Sequence, residues 1–234
     1  MVKQEFVEMF KSGSVPELLK KSKDELSEMF GAEFAEMKDY EQNNPHHCYD
    51  LLEHTLRTVD GLDCRNLSDD EQLLLKTAAL FHDIGKPRVA FVKKGKTVFY
   101  NHANVSEEIA AQLLEKSGFS KTEQEKICFY IKQHDMFISF QTAEEIGNGT
   151  NPYIIPITEE TVLSHITKAT ENYAEQNGFV PSIYDFSILM QLCLADARAQ
   201  SPVAIQDGKI ISTVEAKVNR MNAILEIIKN IDNI

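Results

Sequence analysis

The chain has 234 residues, 43% of them hydrophobic and 26% charged, which is enough apolar material for a sizeable core in a soluble, globular protein. Its formal charge of −12 opposes broad adhesion to nucleic acid or to an anionic membrane, yet allows a phosphorylated substrate held by a few local cations. No stretch approaches a membrane span and the polar start Met1-Val2-Lys3-Gln4-Glu5 has no secretory apolar core, so the expected location is the cytoplasm.

Residues 1–44 are polar with short amphipathic pieces around Phe6–Phe10, Leu18–Leu19 and Leu26–Phe34, and read as a peripheral helical lead-in. Asn43-Asn44-Pro45 marks a break, since the residue before a proline leaves the helical region. Helical periodicity then predicts segments at about 48–62, 69–83, 104–117, 121–134, 158–176, 185–200 and 213–231,. Two stretches read as hairpins. Residues 91–99 carry apolar arms around Lys94-Gly95, and 204–211 turn at Asp207-Gly208, a strong two-residue turn signal. The stretch 140–157, with Gly147, Gly149, Pro152 and Pro156, is the longest expected loop and a candidate cover for a site,. The cysteines at 48, 64, 128 and 193 show no paired spacing. Three of them, Cys48, Cys128 and Cys193, fall in helical-looking segments and are expected to be reduced and half-buried.

Polar residues end three of the apolar stripes. Leu75, Ala78, Ala79 and His82 fall on one helix face, as do Ile127, Tyr130, Ile131 and His134, and Leu189, Leu192, Cys193 and Asp196,. His54 lies one turn after Leu51. A single histidine on an apolar face is usually a hydrogen-bonded core residue. Repetition in separate helices points instead to a shared site, because a buried carboxylate or imidazole needs compensation that a divalent cation supplies. After His82-Asp83, the run Ile84-Gly85-Lys86-Pro87 is expected to stop the helix, with Gly85 as a left-handed cap.

In these motifs the sequence resembles the HD-domain metal-dependent phosphohydrolases, in the subgroup carrying His-Asp-Ile-Gly-Lys. Glu53-His54-Thr55-Leu56, His82-Asp83, Ile131-Lys132-Gln133-His134 and Leu194-Ala195-Asp196-Ala197-Arg198 follow the family's order. Asn101-His102-Ala103 followed by Ser106 is similar to its Gly-His-Glu-type helix start, with Asn101 where glycine is usual. In spacing and flanks the segment from about 45 to 200 resembles the HD domain attached to bacterial CCA-adding tRNA nucleotidyltransferases. No nucleotidyltransferase head is recognised, so tail synthesis is not carried over.

The resemblance implies an all-α fold, an HD-domain helical bundle with one or two small β-hairpins, whose HD domain occupies residues 45–234 after the lead-in at 1–44. It implies that His54, His82, Asp83 and Asp196 bind a first metal. Asp83 bridges to a second ion held by His102 and His134 in relatives with two. Alternatively, those two histidines face the substrate phosphate around a single ion. Either way a metal-activated water attacks phosphorus, with Asp83, Lys86, His102 and His134 as the catalytic candidates. The implied cofactor is one or two divalent ions per chain (Mn, Fe, Co, Ni or Zn, with Mg in a more hydrated site).

Neighbouring residues carry two readings each. Lys86 is a phosphate clamp or a solvated lysine near a helix end. Arg57 either reaches the site mouth or pairs with Glu53 at i−4. His47, two turns before His54, is a candidate for substrate binding. Arg198 is expected on the surface and His165 in a structural role. The leading expectation is a phosphodiesterase or phosphatase acting on a small phosphorylated substrate, a nucleotide or a cyclic phosphate. Hydrolysis of a nucleoside mono- or triphosphate, or of a dinucleotide or alarmone, is a second enzyme reading. The alternative from another class is a non-catalytic HD scaffold that binds metal and nucleotide as a sensor or docking module. No membrane or broad nucleic-acid partner is expected, and the oligomeric state is open.

Overall fold

The computed structural model describes residues 1–147 and 153–232. Helices dominate: α1 (Lys3–Ser12), a 3-10 turn (Val15–Lys20), α2 (Lys23–Phe30), α3 (Ala32–Ala35), α4 (Leu51–Asp60), α5 (Asp69–Phe81) and α6 (Lys86–Val89) come first. Then follow α7 (His102–Ser117), α8 (Lys121–Gln133), α9 (Ala143–Ile146), α10 (Glu159–Asn177), α11 (Ile183–Arg198) and α12 (Val214–Asp232). Their starts are written locally. Ser68 with Glu71 and Ser120 with Glu123 form capping boxes at α5 and α8, each satisfying backbone N–H groups that a helix end leaves unpaired,.

Both expected hairpins form. β1 (Phe91–Lys93) pairs antiparallel with β2 (Lys96–Val98), and β5 (Val203–Gln206) with β6 (Lys209–Thr213). Lys94-Gly95 and Asp207-Gly208 all take positive φ, the backbone that tight hairpin turns require. The expected loop at 140–157 is more structured than its glycines and prolines suggest. β3 (Phe140–Gln141) and β4 (Ile155–Pro156) pair in parallel around α9, while Gly149 and Pro152 lie outside the described residues.

Four expectations change. The lead-in is not peripheral: Phe6, Phe30 and Phe34 are buried and pack with Phe81 of α5, ring centroids 4.4–6.3 Å apart. Gly85 is not a left-handed cap, having φ −81° and ψ −13°. Its glycine identity comes from close approach, since a Cβ there would lie 2.6 Å from Ser106 N and 2.8 Å from His102 O, both backbone atoms of α7. Nor does Pro87 only stop a helix; it sits in the first turn of α6, where its missing N–H costs nothing. Of the cysteines, Cys128 and Cys193 are buried within helices, but Cys48 is exposed and precedes α4.

Helix α5 packs against α1, α4, α8 and α11, so its C-terminal end is fixed from several sides. Among the described residues no helix is long and apolar enough to cross a membrane.

Two substitutions test this packing by chemical denaturation. Phe6→Ala should lower unfolding free energy by about 3–5 kcal/mol, as expected for a core aromatic; a loss within about 0.5 kcal/mol would return α1 to the periphery. Gly85→Ala should cost about 1–3 kcal/mol by overpacking against backbone that cannot rotate away.

Candidate metal centre

The ends of two helices are built alike. His82 caps α5 and His134 caps α8, both in right-handed helical conformation. In each, the ring Nδ1 meets a carbonyl three residues back, Ala79 O at 2.7 Å and Ile131 O at 2.7 Å. His102, opening α7, repeats the device on Phe99 O at 2.9 Å, and His54 in α4 uses Ala199 O at 3.2 Å. A carbonyl only accepts, so all four Nδ1 atoms donate, and each neutral ring presents the lone pair of Nε2. Asn101, before His102, has φ +67°, a left-handed position where glycine is easiest and asparagine is among the best-tolerated alternatives.

These lone pairs converge on carboxylates. His54 Nε2 lies 3.0 Å from Asp196 Oδ1 and 3.3 Å from Asp83 Oδ2; His82 Nε2 is 3.2 Å from Asp83 Oδ2 and 3.9 Å from Asp196 Oδ1. The other oxygen of Asp83, Oδ1, faces His102 Nε2 at 3.2 Å and His134 Nε2 at 3.7 Å. His102 Nε2 and His134 Nε2 are themselves 3.1 Å apart. The buried Nε2 atoms of His54 and His82 have no hydrogen-bond partner.

Acceptors facing acceptors repel unless a cation or proton lies between them. Metal–ligand bonds of about 2.0–2.2 Å place neighbouring ligand atoms about 3–4 Å apart, which is the spacing observed. Three groups have their ligand atoms within 4.8 Å of one another: His54, His82 and Asp196; His82, Asp83 and His134; and His102, His134 and Asp135. The donor set is nitrogen and oxygen without thiolate, and it fits a divalent metal of the Mn-to-Zn series.

The carboxylates also shift the proton affinities of the imidazoles they face. Burial opposes a charged His54, but the Asp196 and Asp83 carboxylates outweigh it and raise its pKa to about 9. Burial likewise opposes His102, and Asp83 and Asp135 overcome it, raising that pKa. His134 goes the other way, lowered by burial and by the neighbouring His82 and His102. Burial would push the Asp83 carboxyl up, yet His82, Lys86 and His102 hold it well below its usual range.

Asp83, His102, His134, Asp135 and Asp196 of the cluster line a cavity of about 580 Å³, together with His46, His47, Lys86 and Tyr100. Lys86 is not solvated: it is buried, its Nζ 2.7 Å from Asp83 Oδ2 and 3.1 Å from Gln42 Oε1. His47 packs edge-on against His54, with its buried Nδ1 unpartnered. Burial and nearby Lys86 drive its pKa down to about 2, so the ring is neutral. Arg57 does not line the cavity; its guanidinium pairs with Glu53 at 2.7 Å and lies 4.0 Å over the Tyr49 ring. Arg198 is exposed, and His165 packs between Phe137 and Phe140.

Two participants escaped the sequence reading. Asp135 has Oδ2 3.3 Å from His102 Nε2 and Oδ1 3.8 Å from His134 Nε2. The signal was present, because His134-Asp135 repeats the dipeptide His82-Asp83 at the end of an equally apolar helix. Lys217 of α12 also lines the cavity, and no motif marks it.

Comparison with known proteins agrees with this geometry. The family model "HD domain" matches residues 47–170, a span that holds every cluster member except Asp196. The A-adding tRNA nucleotidyltransferase of Deinococcus radiodurans is 30% identical over 105 residues, covering 44% of this chain and 23% of that protein. The chain thus spans less than a quarter of that relative's length. With more than half of its residues in the matched span, and the motif histidines and aspartates gathered around one point, the chain belongs to the HD-domain family.

Proposed function

We propose that the protein is a metal-dependent phosphohydrolase acting on a nucleotide or another small phosphoester. The observation that carries this reading is the convergence of four backbone-anchored imidazoles on Asp83 and Asp196, two carboxylates that line a cavity. In this reading His54, His82, Asp83 and Asp196 would hold one ion, and Asp83, His102, His134 and Asp135 would hold a second. A bound divalent ion supplies the chemistry by lowering the pKa of water toward neutrality and offsetting charge on phosphoryl oxygens.

The chain's own groups do the rest. Backbone carbonyls fix each imidazole in the tautomer that offers Nε2. Lys86, hydrogen-bonded by Gln42, keeps Asp83 ionised and holds its carboxylate in place. The neutral ring of His47 lines the cavity as a substrate-binding candidate. Tyr100 and Ile138 are exposed apolar residues on the cavity wall, suited to the base or other non-phosphate part of the substrate. The volume lies within the range of about 300–1,000 Å³ common for small-molecule sites.

Elemental analysis and a hydrolysis screen test the reading together. Purified protein should carry Mn, Fe, Co, Ni or Zn and hydrolyse p-nitrophenyl phosphate, bis-p-nitrophenyl phosphate or a member of a nucleotide panel. Turnover that survives complete chelation removes the mechanism. Asp83→Ala should empty both positions and reduce activity to background. Asp135→Ala should weaken loading of the second ion by about 10–100-fold while sparing the first; an unchanged metal titration would dismiss Asp135 as a ligand.

A further inference from the structure

Helix α12 lies beyond the matched family segment, yet Lys217, Arg220 and Met221 from it form part of the cavity wall. Lys217 and Arg220 are three residues apart and so share a helix face. The cavity's cationic side chains differ in what holds them. Lys86 is paired with Asp83 at 2.7 Å, and Arg220 with Glu145 of α9 at 3.2 Å. Among the described residues Lys217 forms no salt bridge; its Nζ meets Gln200 Oε1 and, at 3.3 Å, His46 Nδ1.

Both of those partners are neutral. Burial, with the nearby cations Lys217, Lys96 and Arg220, pushes the His46 pKa down to about 4. A half-buried ammonium whose two hydrogen-bond partners are neutral is incompletely compensated: burial lowers its pKa to about 8 despite the Asp196 carboxylate nearby, and an anion arriving from the cavity would complete its shell,. Its direction is set as well. Gln200 accepts from Lys217 through Oε1 and donates through Nε2 to Asp196 Oδ2 at 3.3 Å. A single side chain therefore separates the ammonium from a candidate metal ligand, and a phosphoryl group at the cluster lies beside it.

We propose that Lys217 is a substrate-binding residue that holds a phosphoryl oxygen, and that it tunes the cavity to the dianionic end of a phosphomonoester in preference to a diester. A monoester has one more unsubstituted oxygen and one more negative charge than a diester, and with Lys86 and Arg220 already paired, Lys217 is the cation left to meet them. The inference rests on the phosphohydrolase reading of the same cavity.

The probe is inorganic phosphate, titrated calorimetrically into Mn-loaded wild type, Lys217→Met and Lys217→Arg, with metal content and circular dichroism recorded for each. Lys217→Met should retain fold and metal but bind phosphate at least about tenfold more weakly, the size of one charge-assisted hydrogen bond. Lys217→Arg should recover most of that affinity. Where turnover is measurable, KM for p-nitrophenyl phosphate should rise in step while bis-p-nitrophenyl phosphate hydrolysis changes by less than about threefold. Should Lys217→Met lose its fold, Lys217→Gln takes its place, keeping a polar contact to Gln200 without the charge. Phosphate affinity within about twofold of wild type in a folded, metal-loaded variant overturns the role of Lys217 and leaves the hydrolase reading intact. A Lys217-dependent loss of phosphate binding in a protein that hydrolyses none of the substrates does the opposite.

Discussion

The architecture turns on one buried carboxylate. Asp83 is almost wholly removed from water, and its two oxygens serve different neighbours: Oδ2 meets His54, His82 and Lys86, whereas Oδ1 meets His102 and His134. Isolated, such a charge in the interior would cost several kcal/mol even after relaxation. Here one lysine offsets it directly, and each imidazole around it offers a lone pair when neutral and a proton when charged. With Asp196 and Asp135 added, three carboxylates face one paired ammonium. That imbalance is tolerable in a folded protein only when cations or bound protons complete it.

Holding acceptors against one another demands rigidity, and the surrounding packing supplies it. Phe81, immediately before His82, is embedded in the rings of Phe6, Phe30 and Phe34, so the lead-in helices brace the end of α5 from the side opposite the cavity. On the other flank Gly85 lets α7 approach within contact of its backbone, and Gly85 N donates to Ser106 Oγ at 2.9 Å. That contact fixes His102 relative to Asp83. The apolar core and the polar cluster are therefore one mechanical unit, in which a displacement of about 1 Å would spoil a metal-ligand set.

The helices and both hairpins were legible because their signals are local. Ser-x-x-Glu at a helix start, a 3.6-residue apolar stripe and Asp207-Gly208 each act within a few residues,. The stripes even disclosed which residues point inward at their ends, namely His82, His134 and Asp196. What stayed hidden depends on contacts between distant segments. Gly85 is glycine because of α7, a constraint no spacing rule encodes. Phe6 and Phe34 look like ordinary amphipathic residues until Phe81 is placed among them. Lys217 resembles any surface lysine of a helix, and only the meeting of α12 with Gln200 and His46 turns it toward the cavity. Lys86 was read as either clamp or solvated charge; its burial beside Asp83 was not available from its position near a helix end. Asp135 differs again, because its signal, the His134-Asp135 repeat of His82-Asp83, is local and stands in the sequence.

A cluster built for the proposed turnover differs from one that only staples the fold. Structural metal sites close around their ion, whereas catalytic ones keep a position open to water or substrate. The ligand shell here is asymmetric. His54, His82, Asp83 and His134 have side chains no more than 2% exposed, and they seal the core side. Asp196 at 14% and Asp135 at 36% face the cavity, with His102 between at 11%. A staple would gain nothing from leaving its carboxylates accessible, because solvent weakens the electrostatic grip on the ion. It would gain nothing either from cations such as Lys217 near that opening, which repel the metal. Both features suit the admission of an anion, which is what the proposed phosphohydrolase reading requires and a scaffold does not.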